Sequence, residues 1–156
     1  DTEYADYVWQ LYCSNNPIRL ENLTDFKDYQ FDYLGDAVKS HLKRFPSINN
    51  GLNDMENTIL KLAIDKKPKS KTEYMDVLLK NQGNLGFSNT QYDRAITRLK
   101  PLITSLNPVR ISKKGKEILE GKTSYYSCIQ DNDVYLGGAL KYNFLYNTTT
   151  NRILKL

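Results

Sequence analysis

Residues 53 to 122 carry one helix-start signature three times and then change period. Asn53 stands three places before Glu56, Ser70 three before Glu73, and Ser88 three before Gln91. At that spacing the first side chain accepts from the backbone of the fourth residue, and the fourth side chain reaches back to the first. Behind each start the apolar residues recur in steps of three and four, the period of one helix face. They are Met55, Ile59, Leu62 and Ala63 with Leu60 and Ile64 beside them; then Tyr74, Val77 and Leu78; then Tyr92, Ala95, Ile96 and Leu99. "DKKPKSK" and "NQGNLGF" break the chain between them. After Pro101 the short runs "LIT" and "VRIS" flank "SLNP", which predicts a small hairpin. "KKGKEILEG" returns to helix, with Ser112 as its N-cap and Gly121 as its stop.

The flanks read differently. "EYADYVWQLYCSNNP" places Tyr4, Tyr7, Val8 and Leu11 on one helix face, widened by Trp9 and Tyr12, and ends at Pro17. A short extended "IRL" is expected next. A second helix is expected over about 31 to 44, with Asp32 and Asp36 near its start and Lys39, His41, Lys43 and Arg44 near its end. That is the charge order a helix dipole favours. Phe45-Pro46 ends it, and "FPSINNG" reads as a joint. The lone His41 has no Ser, Cys or second His at a meaningful spacing, so it is expected to be structural. Beyond 122, "ALKYNFLY", "NTTTN" and "RILKL" predict a C-terminal hairpin that continues the small sheet begun at 103 to 111. The expected class is α+β and mainly helical: an N-terminal helical pair over 1–49, a core over 50–122, and a C-terminal β-hairpin extension over 123–156.

Three helices, a two-stranded ribbon and a closing helix resemble a winged helix-turn-helix. The phrase "RISKKGKEIL" is similar to the strand-then-helix phrase that follows the wing in bacterial winged-helix regulators, with Ile111, Ser112, Gly115, Ile118 and Leu119 at the matching places. A wider likeness runs through "HLKRFPSINNGLNDMENTIL", "RISKKGKEILEG" and "YLGGALKYNFLYN". In that order they resemble the C-terminal half of a bacterial family of unknown function. Phe144 and Tyr146 stand where that pattern has tryptophans. The resemblance implies a further N-terminal domain of unknown function in the parent protein and transfers no catalytic residue. The start on Asp1, with a helical pattern almost at once, agrees with a domain cut from a longer chain.

Charge narrows the partners. The net charge of +4 is uneven: residues 53 to 122 hold fourteen Lys or Arg against eight Asp or Glu, and the remainder holds eight against ten. A basic middle set against a remainder that is net acidic is an argument about partners. On the third core helix, Thr90, Arg94, Thr97 and Arg98 oppose the apolar face and suit phosphates and base edges. The loop lysines Lys66, Lys67, Lys69 and Lys71, and Lys113, Lys114 and Lys116 after the ribbon, are placed to meet a phosphate backbone. Asp93 beside that face, and a ribbon tip without a cation, weigh against it. Duplex DNA is one expected partner. The other reading is a scaffold that packs on the N-terminal domain or on a second copy, with the twelve tyrosines as contacts, among them Tyr125, Tyr126, Tyr135, Tyr142 and Tyr146.

Enzyme chemistry has little support. Asp25, Asp28, Asp32 and Asp36 would share a face only in a helix that begins early, and like charges at that spacing repel. "LGG" at 136–138 lacks the Lys-Ser/Thr of a phosphate loop. No zinc spacing and no nucleophile–base pair occurs, so no catalytic residue, metal or cofactor is expected. Cys13 and Cys128 share no redox spacing and read as free thiols. With no signal-peptide pattern and no long apolar run, a cytoplasmic, non-membrane location is expected.

Overall fold

A computed structural model describes residues 2–24, 33–130 and 132–156. The chain is α+β, mainly helical, with small antiparallel sheets. It divides into two compact units, one made of residues 1–53 with 129–156 and the other of residues 54–128.

The 54–128 unit follows the cap signals at Ser70, Ser88 and Ser112. Helix α3 spans Asp54–Lys66, α4 Lys71–Lys80 and α5 Asn89–Arg98. Ser70 accepts from the Glu73 amide at 3.1 Å, while the Glu73 carboxylate accepts from the Lys69 amide at 2.8 Å. At Ser88 both halves of the box close, with Gln91. The inward stripe of α3 is Glu56, Ile59, Leu60 and Ala63, so Met55 and Leu62 sit at its edge, half buried. Tyr74 and Leu78 of α4 and Tyr92, Ala95 and Ile96 of α5 complete the helical core. Each such large apolar side chain contributes roughly 1.5–3 kcal/mol on burial. The Tyr74 hydroxyl meets the carbonyl of Ile59 at 2.5 Å, and burial raises its pKa, so the proton stays where that bond needs it.

The ribbon follows: β1 is Ile103–Leu106 and β2 Val109–Ile111, paired antiparallel with Leu106 opposite Val109. Helix α6, Lys113–Leu119, starts on Ser112, whose hydroxyl accepts from the Gly115 amide at 3.0 Å, and is closed by Gly121 at φ 73°. Gly115 is needed for contact: a Cβ there would come within 2.7 Å of the Ile111 methyl and 3.1 Å of the Leu102 carbonyl oxygen. The glycine of the "RISKKG" phrase thus lets α6 lie against the ribbon.

The other unit is built from both chain ends. Helix α1 is Thr2–Cys13 and α2 is Leu34–Leu42; residues 31 and 32, in the expected start of the second helix, lie outside the described residues. The "IRL" stretch is not extended. Pro17–Leu23 forms a 3-10 helix, because Asn16 caps the Ile18 amide at 3.0 Å and Pro17 presets the first turn. Strands β3 (Tyr135–Leu136) and β4 (Ala139–Leu140) form a tight hairpin, and β5 (Phe144–Asn147) pairs with β6 (Arg152–Lys155). The C-terminal strands do not continue β1–β2, contrary to the expectation from sequence. The free edge of β5 is taken by the joint instead: the Tyr146 amide donates to Pro46 at 2.7 Å, and the Ile48 amide donates to Tyr146 at 3.0 Å. Leu11, Leu20, Val38 and Leu42 share one core with Leu136, Ala139, Phe144, Tyr146 and Ile153. Tyr7 is exposed, because the inward stripe of α1 runs through Tyr4, Val8 and Leu11. The "LGG" phrase has a packing role. The Gly138 amide donates to the Tyr12 carbonyl at 3.0 Å, and a Cβ on Gly137 or Gly138 would overlap the carbonyls of Tyr12 or Cys13.

Candidate functional site

Helix α5 is set by the turn before it. The Gln82 side chain accepts from the Phe87 amide at 2.8 Å and donates to the Phe87 carbonyl at 3.1 Å, and its Oε1 also receives the Tyr92 hydroxyl at 3.2 Å. One glutamine thereby fixes the angle at which α5 leaves α4. With Tyr92, Ala95 and Ile96 buried, Thr90, Arg94, Thr97 and Arg98 are all exposed on the other side. Among the described residues neither guanidinium has a carboxylate partner. Thr97 is less available than its position suggests. Its hydroxyl donates back to the Asp93 carbonyl at 2.9 Å, which leaves only its lone pairs for a ligand. The far end of α5 is tied by Tyr125, whose hydroxyl donates to the Arg98 carbonyl at 3.2 Å. Burial, with the Glu56 carboxylate adding to it, pushes that phenol up to about 12, so it remains a donor at neutral pH.

Asp93 does not stand as an open negative charge on this face. Its carboxylate meets the Lys71 ammonium at 2.6 Å, with both side chains about half exposed. The pair removes the repulsion an anionic ligand would meet there and also consumes one of the loop cations. The Lys71 amide donates to Asn107 at 3.2 Å, and the Val109 amide donates to the Pro68 carbonyl at 3.0 Å. The lysine loop, the start of α4, the ribbon turn and α5 therefore meet on one side of this unit. Lys66 and Lys69 are exposed there, and Lys67 has a left-handed backbone, φ 49°. Lys113 and Lys114 lie in the first turn of α6. Lys113 reaches Glu117 at 3.9 Å, an exposed pair of small consequence, and Lys114 is exposed. No hydrogen bond or ion pair among the described residues links these two lysines to α5.

A cavity of about 410 Å³ lies in the same unit, between the end of α3, the ribbon and α6. Lys67, Arg110 and Lys116 line it, above an apolar floor that includes Ile64, Val109 and Ile111. Sequence reading passed over Arg110, since a single arginine in a three-residue strand carries no periodic signal.

The 1–53/129–156 unit holds an apolar groove of about 490 Å³, lined by residues of α1 and α2 that include Val8, Trp9, Tyr12, Leu34 and His41. Trp9 stacks on Tyr12 at 5.6 Å, Tyr12 meets His41 at 5.0 Å, and His41 meets Phe45 edge-on at 5.8 Å. Burial, with Arg44 adding to it, lowers the His41 pKa to about 4, so the ring is neutral near pH 7. Of the tyrosines considered as contacts, Tyr125, Tyr142 and Tyr146 are buried in the cores and Tyr126 is half buried, whereas Tyr135 is 62% exposed.

Of the acidic row, Asp25, Asp28 and Asp32 lie outside the described residues, and Asp36 sits in the first turn of α2. Among the described residues no three His, Cys, Asp or Glu side chains gather as a metal site. Cys13 and Cys128 are free thiols. No helix among the described residues is long and apolar enough to cross a membrane. No known protein family, no curated protein and no solved structure matches the chain.

Proposed function

We propose that residues 54–128 form a winged-helix module that binds duplex DNA without catalysing a reaction, with α5 as the helix that enters the major groove. The carrying observation is the open face of α5, where Arg94 and Arg98 stand exposed and, among the described residues, without a carboxylate partner. Ten residues make a helix of about 15 Å, enough to lie in a groove about 12 Å wide. Thr90, at the N-terminal end of α5, and Arg94 and Arg98 farther along it, would meet base edges and flanking phosphates. Lys66, Lys67 and Lys69 would add backbone contacts from the loop, and Lys113 and Lys114 farther along the unit. The fourteen cations against eight carboxylates in 54–128 supply the long-range attraction. A cytoplasmic bacterial protein of the resembled family, with this unit as its DNA contact, is the setting this reading gives the chain.

Replacing Arg94 and Arg98 together with alanine is expected to weaken duplex binding. The slope of log K against log salt should become shallower by roughly 1 per arginine removed. Fluorescence anisotropy over a salt series measures both. A wild-type chain that fails to bind any duplex at low salt ends this reading.

A second reading is favoured by one observation: Trp9, 63% exposed, and Tyr7, 47% exposed, on α1. Large aromatic surface of this kind suits a protein contact, with the N-terminal domain of the parent protein or a second copy as the partner. Sedimentation of the chain with and without Trp9→Ser separates self-association from the monomer.

A further inference from the structure

The cavity between α3, the ribbon and α6 has a chemistry the α5 face lacks. Three cations line it, Lys67 from the loop after α3, Arg110 from β2 and Lys116 from α6, and among the described residues no carboxylate shares the wall. None of the three has an ion-pair partner among the described residues. Like charges gathered around one hollow repel, and an anion relieves that repulsion. The floor is the second half of the argument. Ile64, Val109 and Ile111 contribute apolar surface to the same cavity. Its volume, about 410 Å³, falls in the size range of small-molecule sites.

From this juxtaposition we infer that the cavity binds a small phosphomonoester, its phosphate held by Lys67, Arg110 and Lys116 and its apolar body resting on the floor. A phosphomonoester carries close to two negative charges at neutral pH, which suits three cations better than a single carboxylate does. A duplex backbone would satisfy the cations but would leave the apolar floor without an occupant. Lys67 is common to both sites, but no residue of α5 lines this cavity, so Arg94 and Arg98 report on the duplex alone.

The test is a titration of the whole chain with phenyl phosphate, followed by the backbone amide NMR spectrum. Saturable shifts are expected at Lys67 and from Val109 to Lys116, with a Kd of about 1 mM or tighter. Inorganic phosphate and phenol, each carrying one half of the ligand, should bind at least roughly tenfold more weakly. The exposed pair Arg110→Gln with Lys116→Gln should lose at least about tenfold in affinity while its spectrum stays dispersed. Arg94→Ala with Arg98→Ala should bind phenyl phosphate as the parent does. The inference is overturned by unchanged affinity in the Arg110/Lys116 variant, by equal binding of inorganic phosphate, or by loss of binding in the Arg94/Arg98 variant. The absence of saturable shifts overturns it as well. Each of these outcomes leaves the duplex reading to its own salt series.

Discussion

At the scale of single residues, His41 is part of the packing of its unit. It packs against Tyr12 and Phe45, and burial beside the Arg44 cation lowers its pKa from 6.5 to about 4. The unfolded chain therefore takes up a proton that the folded chain refuses. The stability tied to this neutral ring is full above about pH 6.5, declines as pH falls toward about 4, and changes little further below that. His41→Leu keeps an apolar occupant and removes the titration. Melting temperatures at pH 7 and pH 4.5 should drop further in the parent than in His41→Leu. Equal drops would mean that the ring is not held neutral by its surroundings. Sequence placed this residue as structural, since it lacked a partner at useful spacing, but could not give its burial, which comes from α1 and from the joint after α2.

At the scale of elements, α5 shows how local chemistry aims a surface. The Ser88–Gln91 box begins the helix, Gln82 fixes the turn, and Tyr125 anchors the end. Ser88→Ala leaves the Gln91 amide without its acceptor and should cost about 1 kcal/mol in denaturant unfolding. Under the proposed function it should also weaken duplex binding with Arg94 and Arg98 intact, because a frayed first turn no longer holds Thr90 in place. A variant with unchanged stability would show that the box contributes nothing to α5. The ribbon is joined to the lysine loop through Val109 and Asn107, so the position of those lysines is a property of two elements together.

At the scale of the molecule, the two units differ in how the chain builds them. Residues 54–128 are contiguous, whereas the other unit needs both chain ends, with Leu136, Ala139, Phe144, Tyr146 and Ile153 in its core. A chain ending at Cys128 is expected to keep dispersed amide signals from 54–128 and to lose them from residues before 54. Burying half a core does not offset the conformational entropy of ordering it. Dispersed signals from the first segment in that truncation would contradict this account. The charge follows the same division, with every excess cation of the chain in the contiguous unit.

What sequence alone determined is what a few neighbouring residues can enforce. It set the starts at Ser70, Ser88 and Ser112, the stop at Gly121, the helix–helix–helix–hairpin–helix order, and the exposure of Arg94 and Arg98 opposite Tyr92 and Ile96. Those features rest on hydrogen bonds and periodicities spanning fewer than about ten residues. Tertiary structure alone decided the rest. It paired Asp93 with Lys71 and seated β5 against the Pro46–Ile48 joint rather than on the first ribbon. It also gathered Lys67, Arg110 and Lys116 around one cavity. Each of these depends on residues far apart in the chain, whose meeting is fixed only when the cores close.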